Sequence, residues 1–342
     1  MPNGLITYQE ILSQPEAWEA ALKILKAERT TGEAIDPARQ YEQIMYTGCG
    51  SSYYLALAAA ALTQTLTGRS CRAFPASELW LYPASAYTAS KTLLVAASRS
   101  GETTETLRAC QAFLSDRRGD LLTLSCYGEM PLAKLGTFNL VFPSGQESSV
   151  AQTRALSTLY LATVALACLW SGRLDLFDAL ARLPEAGRRV LAQALPLAKE
   201  IGPDASLERF YWLGSGPRYG LACELSLKMK EMSLSHSEPF HFMEFRHGPK
   251  SMVTPASLVI GLRSTANRSS ESAVLEEMKG MGGRTLELAE ADAPFQFKTG
   301  LDEAIQNVLY LPVGQLIAFE RARSKGLDPD RPTNLDSVVK LS

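Results

Sequence analysis

Short apolar runs alternate with helical segments along the whole chain. The runs are rich in β-branched, aromatic and aliphatic residues, which is typical of buried strands. In the first half they predict strands near 43–47, 71–75, 92–97, 120–125 and 138–142, with helices near 51–66, 102–115 and 153–170. In the second half they predict strands near 209–213, 237–240, 257–262 and 284–288, with helices near 218–233, 270–280 and 302–325. This alternation favours βαβ units and a mostly parallel sheet.

The two halves follow the same plan, which indicates a duplication. Residues 44–53 and 211–219 both read as a strand, then Gly-x-Gly, then an aromatic residue opening a helix. The strand at 93–97 corresponds in order to the one at 258–262. We therefore predict two similar α/β domains in tandem.

Two dipeptides extend this comparison. Ser77-Glu78 matches Ser237-Glu238, and we expect each pair to follow the second strand of its half. The predicted organisation has five parts: an N-terminal helical lead (1–35, with a helix from Glu10 to Lys26), a first domain (36–171), a helical linker (172–205), a second domain (206–326) and a tail (327–342).

Composition limits the class of protein. The 342 residues exceed the usual size of one domain, and 46% hydrophobic with 20% charged residues is typical of a soluble globular protein. A net charge of −2 gives no electrostatic reason to expect a nucleic acid or an anionic membrane as partner. The N-terminal residues lack the layout of a secretion signal. Residues 155–170 are too short and too rich in Ser and Thr for a membrane span, so we expect a buried helix.

The positions of the cysteines and histidines indicate the cellular compartment and whether a metal site is expected. No CxxC pair or disulfide-like spacing occurs among the six cysteines, which fits a reducing cytoplasm: Cys49, Cys71, Cys110, Cys126, Cys168 and Cys223. Three histidines lie close together, His236, His241 and His247, but without the signature of a zinc enzyme. We expect a cytoplasmic protein with no metal and no cofactor.

The segment after the predicted strand at 92–97 has the composition of a phosphate-binding loop. It offers the hydroxyls of Ser98, Ser100 and Thr103 together with Gly101 and the start of a helix. Hydroxyls and the unpaired N–H groups of a first helical turn can donate to one anion, and the helix dipole favours negative charge there. The alternative is a plain strand-to-helix turn capped by Ser100.

A second turn of this kind follows the first strand. Gly48-Cys-Gly50-Ser51-Ser52 invites comparison with a dinucleotide fingerprint, but the third small residue is replaced by Tyr53. A tight turn that brings Ser51 and Ser52 to a helix start is the better interpretation. In a parallel sheet both turns lie at the carboxyl edge, so together they predict a site for a phosphomonoester.

The second half offers acid–base chemistry. Glu224, Lys228 and Glu231 are spaced by four and three residues and so share one face of a helix. A solvated stripe of salt bridges is the alternative interpretation. A carboxylate held beside a lysine in a pocket can move a proton between adjacent carbons.

One histidine stands at a bend. His247 precedes Gly248-Pro249, which ends any helix. A lone histidine is more often structural than catalytic, but an imidazole at a bend can exchange a proton with a sugar ring oxygen.

Five motifs occur in the order found in tandem sugar-isomerase (SIS) domain proteins, which the chain resembles along nearly its whole length. The likeness is to the isomerase half of glucosamine-6-phosphate synthases and to stand-alone phosphosugar isomerases and deaminases. It rests on residues 48–52, 98–103, 147–154, 227–231 and 244–249. The resemblance implies two SIS domains, each a mostly parallel five-stranded sheet in a flavodoxin-like three-layer sandwich, and a homodimer with shared active sites.

The resemblance also implies roles for individual residues. The phosphate is held by hydroxyls and the substrate by further loop residues: Ser51, Ser52, Ser98, Ser100 and Thr103, with Gly50, Val150 and Gln152. Glu231 moves the proton between C1 and C2, Lys228 sits beside it, and His247 opens the ring. In the synthases that histidine comes from the neighbouring subunit.

Two departures from the synthases shape the expected function. Ser337 stands where they carry a catalytic lysine, with Lys340 three places on, and Gln152 replaces a serine. With no ammonia-producing domain in this sequence, we expect a deaminase that converts glucosamine 6-phosphate to fructose 6-phosphate and ammonia. The alternatives are a fructosamine-6-phosphate deglycase, another phosphosugar isomerase, and a non-catalytic sugar-phosphate sensor. Neither Arg99 nor Arg154 is given a role.

Overall fold

The structure is a computed structural model that describes residues 3–31, 41–339 and 341. Its strands are β1 Gln43–Gly48, β2 Ser70–Pro75, β3 Thr92–Ser98, β4 Gly119–Ser125, β5 Phe138–Val141, β6 Arg209–Leu213, β7 His236–Phe240, β8 Ser257–Leu262, β9 Arg284–Ala289 and β10 Phe295–Gln296. Its α-helices are α1 Leu5–Leu12, α2 Gln14–Thr31, α3 Ser51–Thr67, α4 Ala76–Leu81, α5 Pro83–Ala86, α6 Thr104–Ser115, α7 Arg154–Trp170, α8 Leu174–Ala179, α9 Leu183–Ile201, α10 Pro217–Ser233, α11 Phe242–Phe245, α12 Arg268–Gly280, α13 Glu303–Gln306 and α14 Tyr310–Ser324.

Two five-stranded sheets organise these elements, and every strand pair in them is parallel. The first sheet has the order β2-β1-β3-β4-β5, and the second has the order β7-β6-β8-β9-β10. Both are therefore the same 2-1-3-4-5 arrangement, a common order of doubly wound α/β folds. The predicted α/β class and parallel sheets are confirmed, and every predicted strand is present.

The chain divides into two compact units. The first unit contains the first sheet and comprises Ser13–Glu147, Arg154–Pro184 and Asp336–Ser342. The second unit contains the second sheet and comprises Met1–Leu12, Ser148–Thr153 and Glu185–Leu335. The domain boundaries given above stay predictions.

Each sheet is buried by helices because its central strands are apolar on both faces. In the first unit, Met45, Leu94 and Leu121 pack with Ala109 and Phe113 of α6. In the second, a corresponding cluster joins the strands to α11 and α12: Tyr211, Leu213, Val259, Phe242, Phe245, Val274, Leu275 and Met278.

Helix α7 is buried, as predicted for residues 155–170. Two of its hydroxyl residues donate within the helix: Thr163 Oγ1 to the Tyr160 carbonyl at 2.7 Å and Ser157 Oγ to the Arg154 carbonyl at 3.2 Å. Among the described residues, no helix has both the length and the apolar character that crossing a membrane requires.

The duplication is visible in backbone detail. Gly50 and Gly216, which precede α3 and α10, have φ/ψ of 54°/−123° and 56°/−133°, a region open to glycine alone. A Cβ on Gly48 would lie 2.6 Å from Ser52 Cβ, and one on Gly214 would lie 2.3 Å from the Arg218 carbonyl oxygen. Both Gly-x-Gly turns thus exist because the next helix begins very close to the strand.

One part of the predicted correspondence is wrong. Ser237 and Glu238 lie inside β7, whereas Ser77 lies in α4 after β2. The strand register pairs Gln43 with Ser70 in one sheet and Arg209 with His236 in the other, so the Ser-Glu match is a coincidence of sequence.

Two predicted helices are interrupted at prolines. The leading helix, expected from Glu10 to Lys26, is two helices that meet at Ser13, with Pro15 in the first turn of the second. The helix expected at 302–325 is α13, a 3₁₀ turn at Asn307–Leu309 and α14, whose third residue is Pro312. Proline has no N–H to donate and its ring clashes with the preceding turn, so it is accommodated near a helix start.

Candidate active site

The loop after β3 keeps its hydroxyls together at the carboxyl edge of the first sheet. Ser98 is 3% exposed, and its Oγ lies 3.4 Å from Thr103 Oγ1 and accepts the Gly101 N–H at 3.2 Å. Ser100 Oγ accepts the Glu102 N–H at 3.2 Å. The alternative of a turn capped by Ser100 is contradicted, because α6 begins at Thr104 and Thr103 occupies the cap position without a side-chain cap bond.

Backbone donors in this loop are open. Within the described part of the chain, the N–H groups of Ser100 and Thr103 have no hydrogen-bond acceptor. Open N–H groups beside a helix start, with hydroxyls that can rotate, form a suitable site for an anion.

The second predicted turn lies at the same edge. Strands β1 and β3 are hydrogen-bonded neighbours, with Thr47 paired to Ala96, so the loops that follow them are adjacent. Ser51 and Ser52 begin α3 and are 5% and 3% exposed. The first unit therefore brings together Gly50, Ser51, Ser52 and the hydroxyls of the loop after β3.

Arg99, a buried residue of this loop, is held by an ion pair and by a backbone carbonyl of the tail. It is 6% exposed and lies 3.5 Å from the carboxylate of Glu147, whose side chain is fully buried. Its Nη2 also donates to the Ser337 carbonyl at 3.0 Å. The tail continues along the start of α6, where the Thr104 N–H donates to the Val339 carbonyl at 3.4 Å.

The structure describes one of the two tail residues considered in the sequence analysis, Ser337, but not Lys340. Ser337 contacts Arg99 through its backbone carbonyl, and Lys340 lies outside the described residues. Arg154 donates to Ser13 Oγ at 2.8 Å and to the Gln146 carbonyl, which gives it a structural role. Sequence reasoning missed Glu147, although it opens one of the five motifs.

The second unit contains a buried charge cluster on α10. Lys228 is completely buried, and its Nζ lies 3.3 Å from Glu224 Oε1 and within hydrogen-bond distance of Glu231 Oε2. The Glu224 side chain is 1% exposed and that of Glu231 is 19% exposed. A solvated stripe is therefore contradicted: one carboxylate is internal, the lysine is internal, and Glu231 forms the accessible end.

Electrostatics keep the lysine charged. Burial alone lowers the pKa of Lys228, but the neighbouring Glu224 and Glu231 carboxylates outweigh burial and raise the pKa above its ordinary value. Lys228 and Glu224 together form a neutral buried pair, so Glu231 is the carboxylate of this cluster that reaches solvent.

His247 lies at an exposed bend of the second unit. Its backbone N–H donates to the Glu244 carbonyl at 2.9 Å, and Gly248 follows with φ of +118°. Both flanks are tied to α12, since Arg246 and Lys250 each pair with Glu277 at 2.7 Å. The loop is anchored while the imidazole remains accessible.

Val150 and Gln152 belong to a short segment of the second unit. The Val150 N–H donates to the Asp330 carbonyl at 3.2 Å, and the Ser148 N–H donates to the Glu10 carboxylate at 2.6 Å. Gln152 is half-buried, and its Oε1 has no hydrogen-bond partner within the described residues. An unmatched amide oxygen can accept a hydrogen bond from a ligand.

The chain is similar in sequence to a domain family and to curated proteins. The model of the SIS domain matches residues 39–169. Glutamine–fructose-6-phosphate aminotransferase (isomerizing) of Methanothermobacter thermautotrophicus is 27% identical over 90% of this chain and 53% of its own length. The enzyme of the same name from Xanthomonas campestris pv. campestris is 30% identical over 89% of this chain and 52% of its own. The chain spans about half the length of these curated relatives.

Solved structures share the fold over nearly the full length. Glucosamine-6-phosphate deaminase of Thermotoga maritima is 25% identical with a TM-score of 0.84, covering 98% of this chain and 99% of that one. Tagatose-6-phosphate ketose/aldose isomerase of Escherichia coli has a TM-score of 0.85 at 22% identity, covering 96% and 95%, and shows the fold alone. Residues 39–169 therefore match the SIS domain family.

Proposed function

We propose that the protein is a phosphosugar isomerase of the SIS type, and more specifically a glucosamine-6-phosphate deaminase. The observation that carries the proposal is the Glu231 carboxylate, which is the accessible end of a cluster whose lysine is wholly buried. The open donors of the loop after β3 support a phosphorylated substrate. The names of the similar proteins, one of them a deaminase of matching length, support the substrate class.

The reaction we propose begins with ring opening by His247. Glu231 then takes the proton from C2 of the open-chain aldose and delivers it to C1, while a proton passes from the C2 amine to O1, which leaves an imine at C2 and a hydroxyl at C1. Water adds to that imine and ammonia departs, so one glucosamine 6-phosphate and one water give one fructose 6-phosphate and one ammonia. Lys228 Nζ lies within hydrogen-bond distance of Glu231 Oε2 and so holds the carboxylate in place for the transfer.

Phosphate binding positions the reacting carbons. We assign the phosphate to Ser51, Ser52, Ser98, Ser100 and Thr103, and contacts with the rest of the sugar to Gly50, Val150 and Gln152. Binding energy from a part of the substrate that does not react can be used to orient C1 and C2 toward the base.

The first experiment incubates the purified protein with glucosamine 6-phosphate and follows ammonia and fructose 6-phosphate together. We expect both in equal amounts. Glu231→Gln should lower kcat at least about a hundredfold, since general acid–base catalysis contributes roughly 10²–10⁴-fold. Glu238→Gln, at an exposed glutamate of β7, is the matched control and should leave kcat unchanged.

Each alternative predicts a different result. A deglycase hydrolyses a fructosamine phosphate to glucose 6-phosphate and the free amine, and leaves glucosamine 6-phosphate untouched. A sensor binds the sugar phosphate without turnover. Turnover by Glu231→Gln within a few-fold of the parent protein would show that the base is assigned wrongly.

The phosphate assignment has its own test. Replacing Ser98 and Ser100 by Ala removes two hydroxyls that can donate to a charged group, each worth about 1.5–3 kcal/mol. At 1.4 kcal/mol per factor of ten, KM should rise at least about a hundredfold. An unchanged KM would remove the phosphate from this loop.

We also propose a homodimer in which His247 acts on substrate held by the partner subunit. At a substrate concentration below the parent KM, His247→Ala and the Ser98/Ser100 double variant should each be nearly inactive alone. Mixed subunits should regain roughly a quarter of the parent activity, because half of the dimers are mixed and one of their two sites is intact. No recovery after subunit exchange would place His247 and the loop in the same subunit's site.

A further inference from the structure

The register of the two sheets fixes which loop positions are equivalent. Gln43 pairs with Thr92 in the first sheet, and Arg209 pairs with Ser257 in the second. Counting from these pairs to the strand ends makes Thr265 the counterpart of Ser100. Counting along β1 and β6 in the same way places Arg218 at the position of Ser52, and the matching dihedral angles of Gly50 and Gly216 support that alignment.

In the second unit a carboxylate occupies the space between these two loops. The Thr265 N–H donates to Glu303 Oε1, and the same oxygen lies 3.6 Å from Arg218 Nη1. The Arg218 side chain is only 8% exposed. One negatively charged oxygen is therefore held by the loop after β8 and by the helix start after β6 together.

A second carboxylate closes the same edge. The Ser264 N–H donates to Glu271 Oε2 at 2.6 Å, and Glu271 is 3% exposed. Because Glu271 is held by the Ser264 N–H, an incoming phosphate would meet the Glu303 carboxylate, and like charges in a largely buried site repel strongly.

In the first unit the backbone follows the same plan, but no carboxylate of the described residues accepts from the loop N–H that corresponds to that of Thr265. The N–H of Ser100, the counterpart of the Thr265 N–H, has no acceptor within the described residues. Ser52 contributes a hydroxyl where the second unit has the Arg218 guanidinium. The carboxyl edges of the two sheets thus differ in one respect: the second holds a carboxylate of the chain, Glu303, and the first does not.

We propose that Glu303 occupies, in the second unit, the position that the substrate phosphate takes in the first. The chain then binds one phosphomonoester rather than two, and the Ser100 N–H is one of the phosphate donors. This inference rests on the proposed function for the identity of the anion in the first unit. It also accounts for the otherwise unassigned charges of Arg218, Glu271 and Glu303.

The test counts bound inorganic phosphate by equilibrium dialysis, at a concentration that saturates the parent protein. We expect one phosphate per chain for the parent and none for Ser98→Ala/Ser100→Ala. Adding Glu303→Ala to that double variant should restore one phosphate, and adding Arg218→Met as well should abolish it. Glu276→Ala in the double variant, at an exposed glutamate of α12, is the control and should restore none.

Two results overturn the inference. One is a phosphate bound by the Ser98/Ser100 double variant while Glu303 is intact, a measurement that does not depend on the folding of any Glu303 variant. The other is a Glu303→Ala triple variant that is folded by circular dichroism and still binds none. A parent protein that binds one phosphate but converts no sugar phosphate refutes the proposed reaction and leaves this inference standing.

Discussion

Replacing Lys228 by Met isolates the energetic role of the buried charge cluster. Methionine keeps most of the length and apolar character of the lysine stem but leaves two carboxylates without their cation. Lys228 is completely buried and Glu224 is 1% exposed, whereas Glu231 is 19% exposed and can reach water. The loss therefore comes mainly from Glu224, whose buried carboxylate would lose its contact with the Lys228 ammonium group.

The expected magnitude follows from this burial. Removing one partner of a buried ion pair costs about 3–5 kcal/mol. We expect Lys228→Met to lower the free energy of unfolding by about 4 kcal/mol, measured by urea unfolding followed by circular dichroism. Lys230→Met, the same substitution at an exposed position of the same helix, should stay within about 0.5 kcal/mol of the parent.

A double variant separates charge from packing. Adding Glu224→Gln to Lys228→Met removes the stranded charge, so the double variant should be more stable than Lys228→Met alone, with a coupling of about 0.5–3 kcal/mol. Equal effects of Lys228→Met and Lys230→Met, or purely additive losses in the double variant, would refute the argument.

Three further outcomes follow from the structure. Because folding raises the pKa of Lys228, its charge stabilises the protein at pH values below about 10.4, and this contribution is lost as pH rises through the folded pKa. The difference in the free energy of unfolding between the parent and Lys228→Met should therefore be constant from pH 7 to 9 and become smaller in stronger alkali. Arg99→Met removes the cation beside the fully buried Glu147 side chain, so it should lower the free energy of unfolding by about 3 kcal/mol and speed hydrogen exchange of the Leu341 amide. Arg118→Met, at a more exposed ion pair, should change neither the stability nor that exchange rate. Gly48→Ala would place a Cβ 2.6 Å from Ser52 Cβ and should raise KM, whereas Gly280→Ala, with no atom within 4 Å, should not.

The fold could be predicted from sequence because local patterns specify it. Strands such as Thr92–Ser98 are continuous apolar runs, and the Gly-x-Gly turns recur where each half needs a helix to start close to a strand. The errors came from features that hydrophobic pattern does not encode. Pro312 divides the helix predicted at 302–325, and the Ser-Glu pairs at 77–78 and 237–238 stand at different positions of the strand register.

The site could be predicted only where sequence spacing implies contact. The spacing of Glu224, Lys228 and Glu231 along one helix correctly predicted that the three side chains lie together. It could not show that Lys228 is buried, since that depends on what packs against α10. Contacts between distant segments, such as Arg99 with Ser337, leave no periodic signal in the sequence.

The two units show how side chains at a fixed edge decide what an inherited backbone does. Both have the same strand order, the same strained glycine before the first helix, and a loop N–H at equivalent positions. At the first edge these donors are lined by hydroxyls and left open, while at the second Glu303 and Arg218 satisfy each other. Glycines fix the geometry that any anion needs, but only the residues beside them determine whether the anion comes from the chain or from solution. Fold similarity by itself therefore predicts two phosphate sites, and the side chains of the second unit argue for one.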